Sequence, residues 1–486
     1  MSVWSKINWN IIIRLLGTLL VIEGIFMSFS IIFSVYYQQD DWLPILISCL
    51  ITSGFGLILF FSTTKEEVPT MGRREGYIIV AFAWVLISLY GAFPFFLHGS
   101  IPSFTDAYFE TMSGFTTTGA SILTDIEALP KGLLFWRSVT QWIGGMGIIV
   151  FSLAILPFLG IGGMQLFVAE VPGPVADKLH PRIHGTARRL WIIYVILTAA
   201  LTILLMVGKL DFFDSLCHAF TTMATGGFST KNDSIASFTS FNQYIIIVFM
   251  FLAGVNFTLH YFMLKGKFKV IFKNEEWRSY LLTIIIATVI IWVVLFFVRG
   301  DLEGSFRTSL FQVVSLITTT GFATDDYLQW PFVLMIILMI LFFIGGCAGS
   351  TGGGVKVVRQ VLLFKTTRIE LKRMVHPNMI HHVKLNKISV SKDILFNVLA
   401  FFLIYLIAFV VGSLALNIIG LDFMSAIGGS MSCLGNVGPG FGTVGPVLNY
   451  ASVPDSGKWI LAFLMLIGRL ELFTVLILFS PSFWKK

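Results

Sequence analysis

The sequence predicts an all-α polytopic membrane protein in which two N-terminal spans precede four repeats of span, re-entrant half-helix and span. Three observations carry this prediction: a composition too apolar for a soluble domain, ten apolar runs of near-bilayer length, and a Gly/Thr motif that returns four times between those runs.

Of the 486 residues, 56% are hydrophobic and 12% charged, with a mean hydropathy of +0.86; an average soluble domain carries roughly 25% charged residues. Apolar runs fall at about 11–36, 43–62, 76–99, 133–160, 189–208, 241–265, 278–298, 331–355, 394–419 and 457–480. Most approach or exceed the ~20 residues that a membrane-crossing helix requires. The first is long, lacks a small-residue cleavage site and is followed by many others, so it reads as a span and not as a cleaved leader.

Charge sets the expected orientation. Arg73, Arg74, Lys178, Arg182, Arg188, Arg189, Lys265, Lys267, Lys269, Lys273 and Arg278 fall in linkers of one parity, and so do Lys356, Arg359, Lys365, Arg368, Lys372, Arg373, Lys384, Lys387 and Lys392. The opposite segments hold Asp40, Asp41, Asp106, Glu110, Asp125, Glu127, Asp301, Asp325 and Asp326. The positive-inside rule then places both termini in the cytoplasm. The net charge of +7 sits in loops that would face anionic lipid headgroups, so membrane lipid is the expected partner and no nucleic acid is implied.

The four motifs read ETMSGFTTTGAS (110–121), AFTTMATGGFST (219–230), VSLITTTGFATD (314–325) and MSCLGNVGPGFG (431–442). Aligned on Gly119, Gly226, Gly321 and Gly438, they recur at about every hundred residues, too long a period for a solenoid. The stretch before each, about 103–115, 211–223, 305–317 and 423–434, is too short to cross a bilayer but suits a half-helix. Such an element is tolerated in a membrane only where it lines water or is buried in protein. Asp106, just after Ser103 and Thr105, is the capping candidate of the first, and Asp211 and Ser305 stand near the starts of the second and third. The implied boundaries are 1–70 for the N-terminal pair and 71–165, 185–270, 275–360 and 390–486 for the repeats.

A ring of backbone carbonyls replaces the hydration shell of a bare monovalent cation without a fixed charge that would hold it too tightly. Glycine permits positive φ at close approach, and threonine hydroxyls bond locally without filling a lumen. Four such motifs predict a pseudo-fourfold ring that favours cations, with the negative ends of the half-helix dipoles at its centre. One Thr/Gly stretch alone would read as helix packing; equal placement in four repeats favours a filter.

Two further features stand out. The eighth run continues into GGCAGSTGGGVK (345–356), where Gly345, Gly346, Gly349, Gly352, Gly353 and Gly354 would weaken a continuous helix and predict a break. The Walker pattern is absent there, and the stretch extends a membrane span, so it is not a phosphate loop. In the last run, Arg469 and Glu471 lie two residues apart, too close in sequence to pair along one helix face. Arg469 therefore either pairs with carbonyls of another span or faces a cavity. The second spans also align GGMG (144–147), AGVN (253–256), GGCA (345–348) and IGRL (467–470). Small residues there predict close helix approach beneath the motifs.

The re-entrant motifs, the glycine-rich interruption and IGRLELF (467–473) resemble the Trk/Ktr/HKT superfamily of potassium transporters, most nearly its bacterial TrkH/TrkG branch. The resemblance covers essentially the whole chain, including the two extra N-terminal spans. It implies potassium translocation across the bacterial inner membrane, with K+ as the transported ligand. By that resemblance the filter maps to Thr116, Thr117, Thr118 and Gly119; Met223, Ala224, Thr225 and Gly226; Thr318, Thr319, Thr320 and Gly321; and Gly435, Asn436, Val437 and Gly438. Some plant relatives have serine at the position of Gly119, and glycine fits the potassium-selective pattern. The fourth copy departs from the others, so the ring need not be equal on all sides.

The same resemblance implies a pore-obstructing gate at Gly345, Gly346, Gly349, Ser350, Thr351, Gly352, Gly353 and Gly354, and places Arg469 in the conduction path. It further implies a homodimer and a cytoplasmic TrkA-type nucleotide-binding regulatory subunit. Whether transport is channel-like or coupled to protons or sodium is left open by the motifs, and a noncatalytic assembly component is the alternative of another class. No enzyme is predicted: His381 and His382 have no metal-ligand spacing, and no GxSxG or HExxH pattern occurs. Cys49, Cys217, Cys347 and Cys433 are scattered and read as isolated thiols.

Overall fold

Long apolar helices make up most of the chain. The computed structural model describes residues 7–63, 72–154, 183–378 and 382–485; Lys178, Arg182, His381 and the end of the predicted 133–160 run lie outside them. Among the described residues, six helices are long and apolar enough to cross a membrane: Trp9–Tyr36, Trp42–Phe61, Arg74–His98, Ala187–Val207, Glu275–Arg299 and Lys392–Ile419. Lipid-facing surfaces are evident on several of them, as at Leu282, Ile285, Ile286, Val289, Ile290, Val293 and Phe297, all large apolar side chains left exposed by the protein. Arg137, Thr140 and Gln141 make Lys131–Ala154 more polar, and the protein buries them.

The first two helices form a hairpin held by reciprocal glycines. A side chain added at Gly17 would meet the Gly56 carbonyl at 2.6 Å, and one at Gly56 the Gly17 carbonyl at 2.7 Å, so both positions require a bare backbone. Asp41, at the turn, is buried and accepts from the Leu133 amide at 3.0 Å, tying the hairpin to the first repeat.

Four short helices follow the predicted pattern. Half-helix 1 spans Phe104–Phe115, half-helix 2 Phe212–Met223, half-helix 3 Leu302–Ile317 and half-helix 4 Phe423–Gly435. The side chains of Ser103, Asp211 and Asp422 accept the amides of Asp106, Asp214 and Ser425 as N-caps. Asp106 is instead a first-turn residue, bound to Lys458 at 2.5 Å. Half-helix 3 begins before Ser305, which lies inside it. Their last turns are buried except at half-buried Phe220, which explains the scarcity of charge in them.

Among the described residues, three predicted spans are not continuous helices. The sixth breaks between Ser240–Ala253 and Phe257–Leu264 with a bend of 103°, and the tenth between Asp455–Arg469 and Phe473–Phe479 with a bend of 109°. The Asn256 side chain caps the second piece of the sixth by accepting from Thr258. In the tenth, Glu471 and Leu472 take φ of 56° and 48°, a left-handed turn that side-chain-bearing residues adopt only when tertiary contacts enforce it. The eighth ends as a helix at Phe342, and helix resumes only at Val357. The intervening chain is the predicted glycine-rich break.

Candidate functional site

The residue after each half-helix C-cap, or the C-cap itself in the fourth, enters the left-handed region. Thr117, Thr225, Thr319 and Asn436 have φ of 52°, 54°, 59° and 54°. Two residues later a glycine has positive φ in every copy: Gly119, Gly227, Gly321 and Gly438. Backbone conformation thus makes Gly227, not Gly226, the equivalent of Gly119, and shifts the second copy by one residue from the sequence alignment: Thr116 matches Ala224, and Met223 belongs to the half-helix. The alignment missed this because the second copy has two adjacent glycines and either one matches.

These four glycines close a ring. A Cβ built on Gly119 would strike the carbonyl of Gly226, one on Gly227 that of Thr320, one on Gly321 that of Val437, and one on Gly438 that of Thr118. Each repeat therefore presses its glycine against the carbonyl before the next repeat's glycine, and the fourth returns to the first. The same four glycines line one cavity of about 200 Å³, whose wall also includes Ser121, Ser229, Asn232 and Tyr450. Four half-helix C-termini converge on it, a concentration of carbonyl dipoles suited to a cation and hostile to an anion.

Local bonds stiffen the turns. The hydroxyls of Thr116 and Thr118 lie 2.8 Å apart, and so do those of Thr318 and Thr320; Thr116 and Thr318 also donate to the carbonyls of Met112 and Val314. Behind the first turn, Arg137 and Glu110 form a buried ion pair at 2.7 Å. Glu110 also accepts from Ser121 and from the Ile122 amide at 2.9 Å, while Arg137 donates to the Ser229 carbonyl at 2.8 Å and lies 3.5 Å from the centre of the Phe228 ring. Glu110 therefore holds the chain beyond the ring.

The glycine-rich segment lies on the other side of the ring, against its base. Gly353 donates to the Thr319 hydroxyl at 2.6 Å, and the Thr351 hydroxyl donates to the Met223 carbonyl at 3.1 Å and the Ala253 carbonyl at 3.2 Å. A Cβ on Gly352 would meet the Thr318 carbonyl at 2.8 Å, and one on Gly353 would overlap that of Gly435. Gly346 accepts from Val357 at 3.0 Å, which pinches the ends of the segment together, and Gly345, Gly349 and Gly354 take positive φ of 79°, 73° and 70°. Ser350 bonds back to Cys347 at 2.6 Å. The Glu276 carboxylate accepts from Ala348 at 2.7 Å and Val358 at 3.2 Å, anchoring both ends.

Arg469 completes this layer. It is buried, donates to the carbonyls of Thr351 at 2.7 Å and Gly144 at 3.2 Å, and leaves its Nε without a partner. Its neighbour Glu471 pairs with Arg359 at 2.5 Å on the far side of the break, so the two charges serve different contacts. Lys356 turns its ammonium back onto the Gly352 carbonyl. The segment touches the third and fourth turns and the last residue of half-helix 2, and Arg469 links it to the first repeat.

Sequence reading overlooked four residues that this geometry uses. Tyr194 and Tyr280 donate to the carbonyls of Trp142 and Phe251 in the preceding repeat, at 3.1 and 3.2 Å. Gln141 and Arg137 sit within an apolar run, as do both tyrosines, and polar groups in a span are the signal that would have found them. Among the described residues, no cluster of His, Cys, Asp or Glu suits a resident metal, and all four cysteines are free thiols.

Comparison with known proteins places this arrangement. The family profile described as TrkH, cation transport protein, matches residues 44–486. The Trk system potassium uptake protein TrkH of Escherichia coli K12 is 41% identical over 485 residues, covering 99% of this chain and 100% of that protein. TrkG of the same organism is 34% identical, covering 98% of this chain and 99% of the relative. The crystal structure of the potassium transporter TrkH from Vibrio parahaemolyticus superposes with a TM-score of 0.90 at 36% identity, covering 99% of this chain and 100% of that one. The break in the eighth span, the closed glycine ring and these full-length matches agree: the chain belongs to the TrkH family of cation transport proteins.

Proposed function

We propose that this protein is the potassium-translocating subunit of a Trk-type uptake system, conducting K+ and Rb+ inward through the four turns at 116–119, 224–227, 318–321 and 435–438. The closed ring of four glycines, each against a carbonyl of the next repeat, is the observation that carries the reading. A bare monovalent cation needs many weak oxygen ligands from several sides at once, and only a ring built by all four repeats offers them. Full-length similarity to potassium uptake proteins supports the choice of ion.

The segment from Gly345 to Gly354 is the gate in this reading. It lies against the base of the third and fourth turns and the end of half-helix 2, and Arg469 adds a fixed positive charge beside it, so both obstruct a cation leaving the ring. Opening requires the segment to withdraw from the Thr319 and Met223 contacts. Its continuation into the basic helix Val357–Val375 gives a cytoplasmic TrkA-type regulatory subunit a direct lever. The bonds from Asn8 to Glu75 and from Arg74 to Lys485 gather the two ends of the chain on one membrane side, which supports cytoplasmic termini in the inner membrane. The functional unit is a homodimer with one pore per chain.

The deciding experiment is K+ and Rb+ flux into proteoliposomes of the purified chain, alone and with the regulatory subunit, with voltage and internal pH recorded together. Flux following the potassium gradient at constant pH supports gated conduction. Stoichiometric proton or sodium movement makes the same ring part of a symporter, and no potassium flux with the partner present overturns the proposal.

A further inference from the structure

The four turns are not held in the same way. In the first and third, a hydroxyl pair within the turn, Thr116 with Thr118 and Thr318 with Thr320, closes it at 2.8 Å. At the equivalent positions the second turn has Ala224 and Gly226, and the fourth Gly435 and Val437, so neither can form this pair. The fourth is held from outside: Asn436 donates to the Thr118 hydroxyl at 3.0 Å and the Met465 carbonyl at 2.9 Å, and Ser432 and Tyr450 both donate to the Gly438 carbonyl at 2.7 Å.

The second turn needs restraint most, because Gly226 and Gly227 are adjacent and a Gly–Gly peptide unit rotates with little steric resistance. One side chain meets that need. Gln141, on the second span of the first repeat and fully buried, donates from Nε2 to the Gly226 carbonyl at 2.6 Å and accepts the Phe228 amide on Oε1 at 3.1 Å. Both faces of the amide are used, and they bracket Gly227. The Gly226 carbonyl is also the one against which Gly119 packs, so the clamp acts at the seam between repeats 1 and 2. A Cβ on Gly226 would meet the Gln141 amide group itself, so glutamine at 141 and glycine at 226 are matched in shape.

We infer that Gln141 is a positioning residue for ion selectivity, an external clamp that replaces the hydroxyl pair absent from the second turn. It touches no ion and acts by fixing the orientation of the Gly226–Gly227 peptide unit. This inference rests on the potassium reading above.

The test uses full-length protein in proteoliposomes and reads the ratio of Rb+ to Na+ flux. Q141A and Q141L should insert and elute like the wild type but lower that ratio by about tenfold, the scale of one strong buried bond left unmade. The triple variant Q141A/A224T/G226T vacates the amide and installs in the second turn the hydroxyl pair of the first and third, and should restore discrimination. Either single variant retaining the wild-type ratio overturns the inference. If both singles fail to accumulate, the triple decides: inserted and selective supports the clamp, whereas inserted and unselective, or absent, overturns it. Wild-type protein lacking Rb+ over Na+ discrimination would be a failure of the potassium reading itself, seen before any variant is made, and the inference falls with it.

Discussion

Arg469 donates to the carbonyl of Thr351 at 2.7 Å, so the last span holds the middle of the glycine-rich segment against the base of the ring. The same guanidinium reaches Gly144 in the first repeat. A buried cation bonded to carbonyls exerts a fixed positive field and a mechanical restraint together, and the two can be separated by substitution.

Replacing Arg469 with alanine removes both. The expected outcome is raised basal Rb+ flux without the regulatory partner, by about tenfold or more if each charge-assisted bond contributes ~1.5–3 kcal/mol to closure. Arg469→Lys keeps the charge but cannot reach both carbonyls with one planar fork, so its flux should lie between alanine and wild type. An alanine variant that inserts normally and conducts no more than wild type would count against the restraint.

Gly353→Ala tests the segment directly. Its Cβ would overlap the Gly435 carbonyl, and Gly353 also donates to Thr319, so the segment must back away from the third and fourth turns. Increased leak with unchanged Rb+ over Na+ preference is expected, because the turns themselves are untouched. Loss of flux would instead mean that the displaced segment blocks the path more tightly.

The corrected register makes a sharp comparison. Gly227→Ala places a side chain at positive φ against a backbone carbonyl, with about 1–2 kcal/mol of conformational strain before any collision. The Cβ of Gly226→Ala has the Gln141 side chain, not backbone, as its nearest neighbour. Selectivity should fall further in Gly227→Ala; the reverse order in ion-competition assays would restore the sequence alignment.

The Glu110–Arg137 pair predicts a stability effect. Glu110→Gln leaves the buried guanidinium without its counter-charge, and breaking such a pair costs about 3–5 kcal/mol. Arg137→Met in the same chain should recover part of the loss, since it removes the orphaned charge. Thermal unfolding of the detergent-solubilised variants measures both, and equal melting temperatures for single variant and wild type would refute the assignment.

At the rim of the ring, Asn232 joins the loops after the first two turns. It donates to Asp125 at 2.9 Å and accepts from the Ile126 amide at 2.7 Å. The bond from Asn232 holds the Asp125 carboxyl below its usual range. A lowered carboxyl contributes stability that is complete above its unfolded value, about 3.9, and is lost as pH falls through the lower folded value. The Ile126 amide should therefore keep its protection from hydrogen exchange between about pH 7 and 5. Asn232→Ala should abolish it at every pH; fading protection within that window in the wild type would contradict the sign.

Much of the fold was legible because its signals are local. Run length and composition marked the spans, and Asp211 stood where the structure puts a cap. Half-helices 1, 2 and 4 begin and end within a residue or so of where motif spacing put them, since each is bounded by a polar cap and a turn motif. Half-helix 3 starts earlier, at Leu302, although the Asp301 side chain before it makes no capping bond. The bends in the sixth and tenth spans were not legible: Gly254 and Asn256 in one run, and Arg469 and Glu471 in the other, mark polar or small positions but not a change of helix direction, which involves contacts from other repeats such as Cys347 donating to Gly254.

By itself, the sequence determined that this chain is a polytopic helical bundle with four half-helices ending in Gly/Thr turns, because hydrophobic period, length and capping act over a few residues. The tertiary structure alone decided which glycine of the second motif belongs to the ring, which carbonyls Arg469 binds, and that Gln141 serves a turn in the neighbouring repeat. Those outcomes depend on positive φ imposed by packing and on bonds between residues far apart in the chain, and a linear pattern carries no record of which distant carbonyl a buried donor will meet.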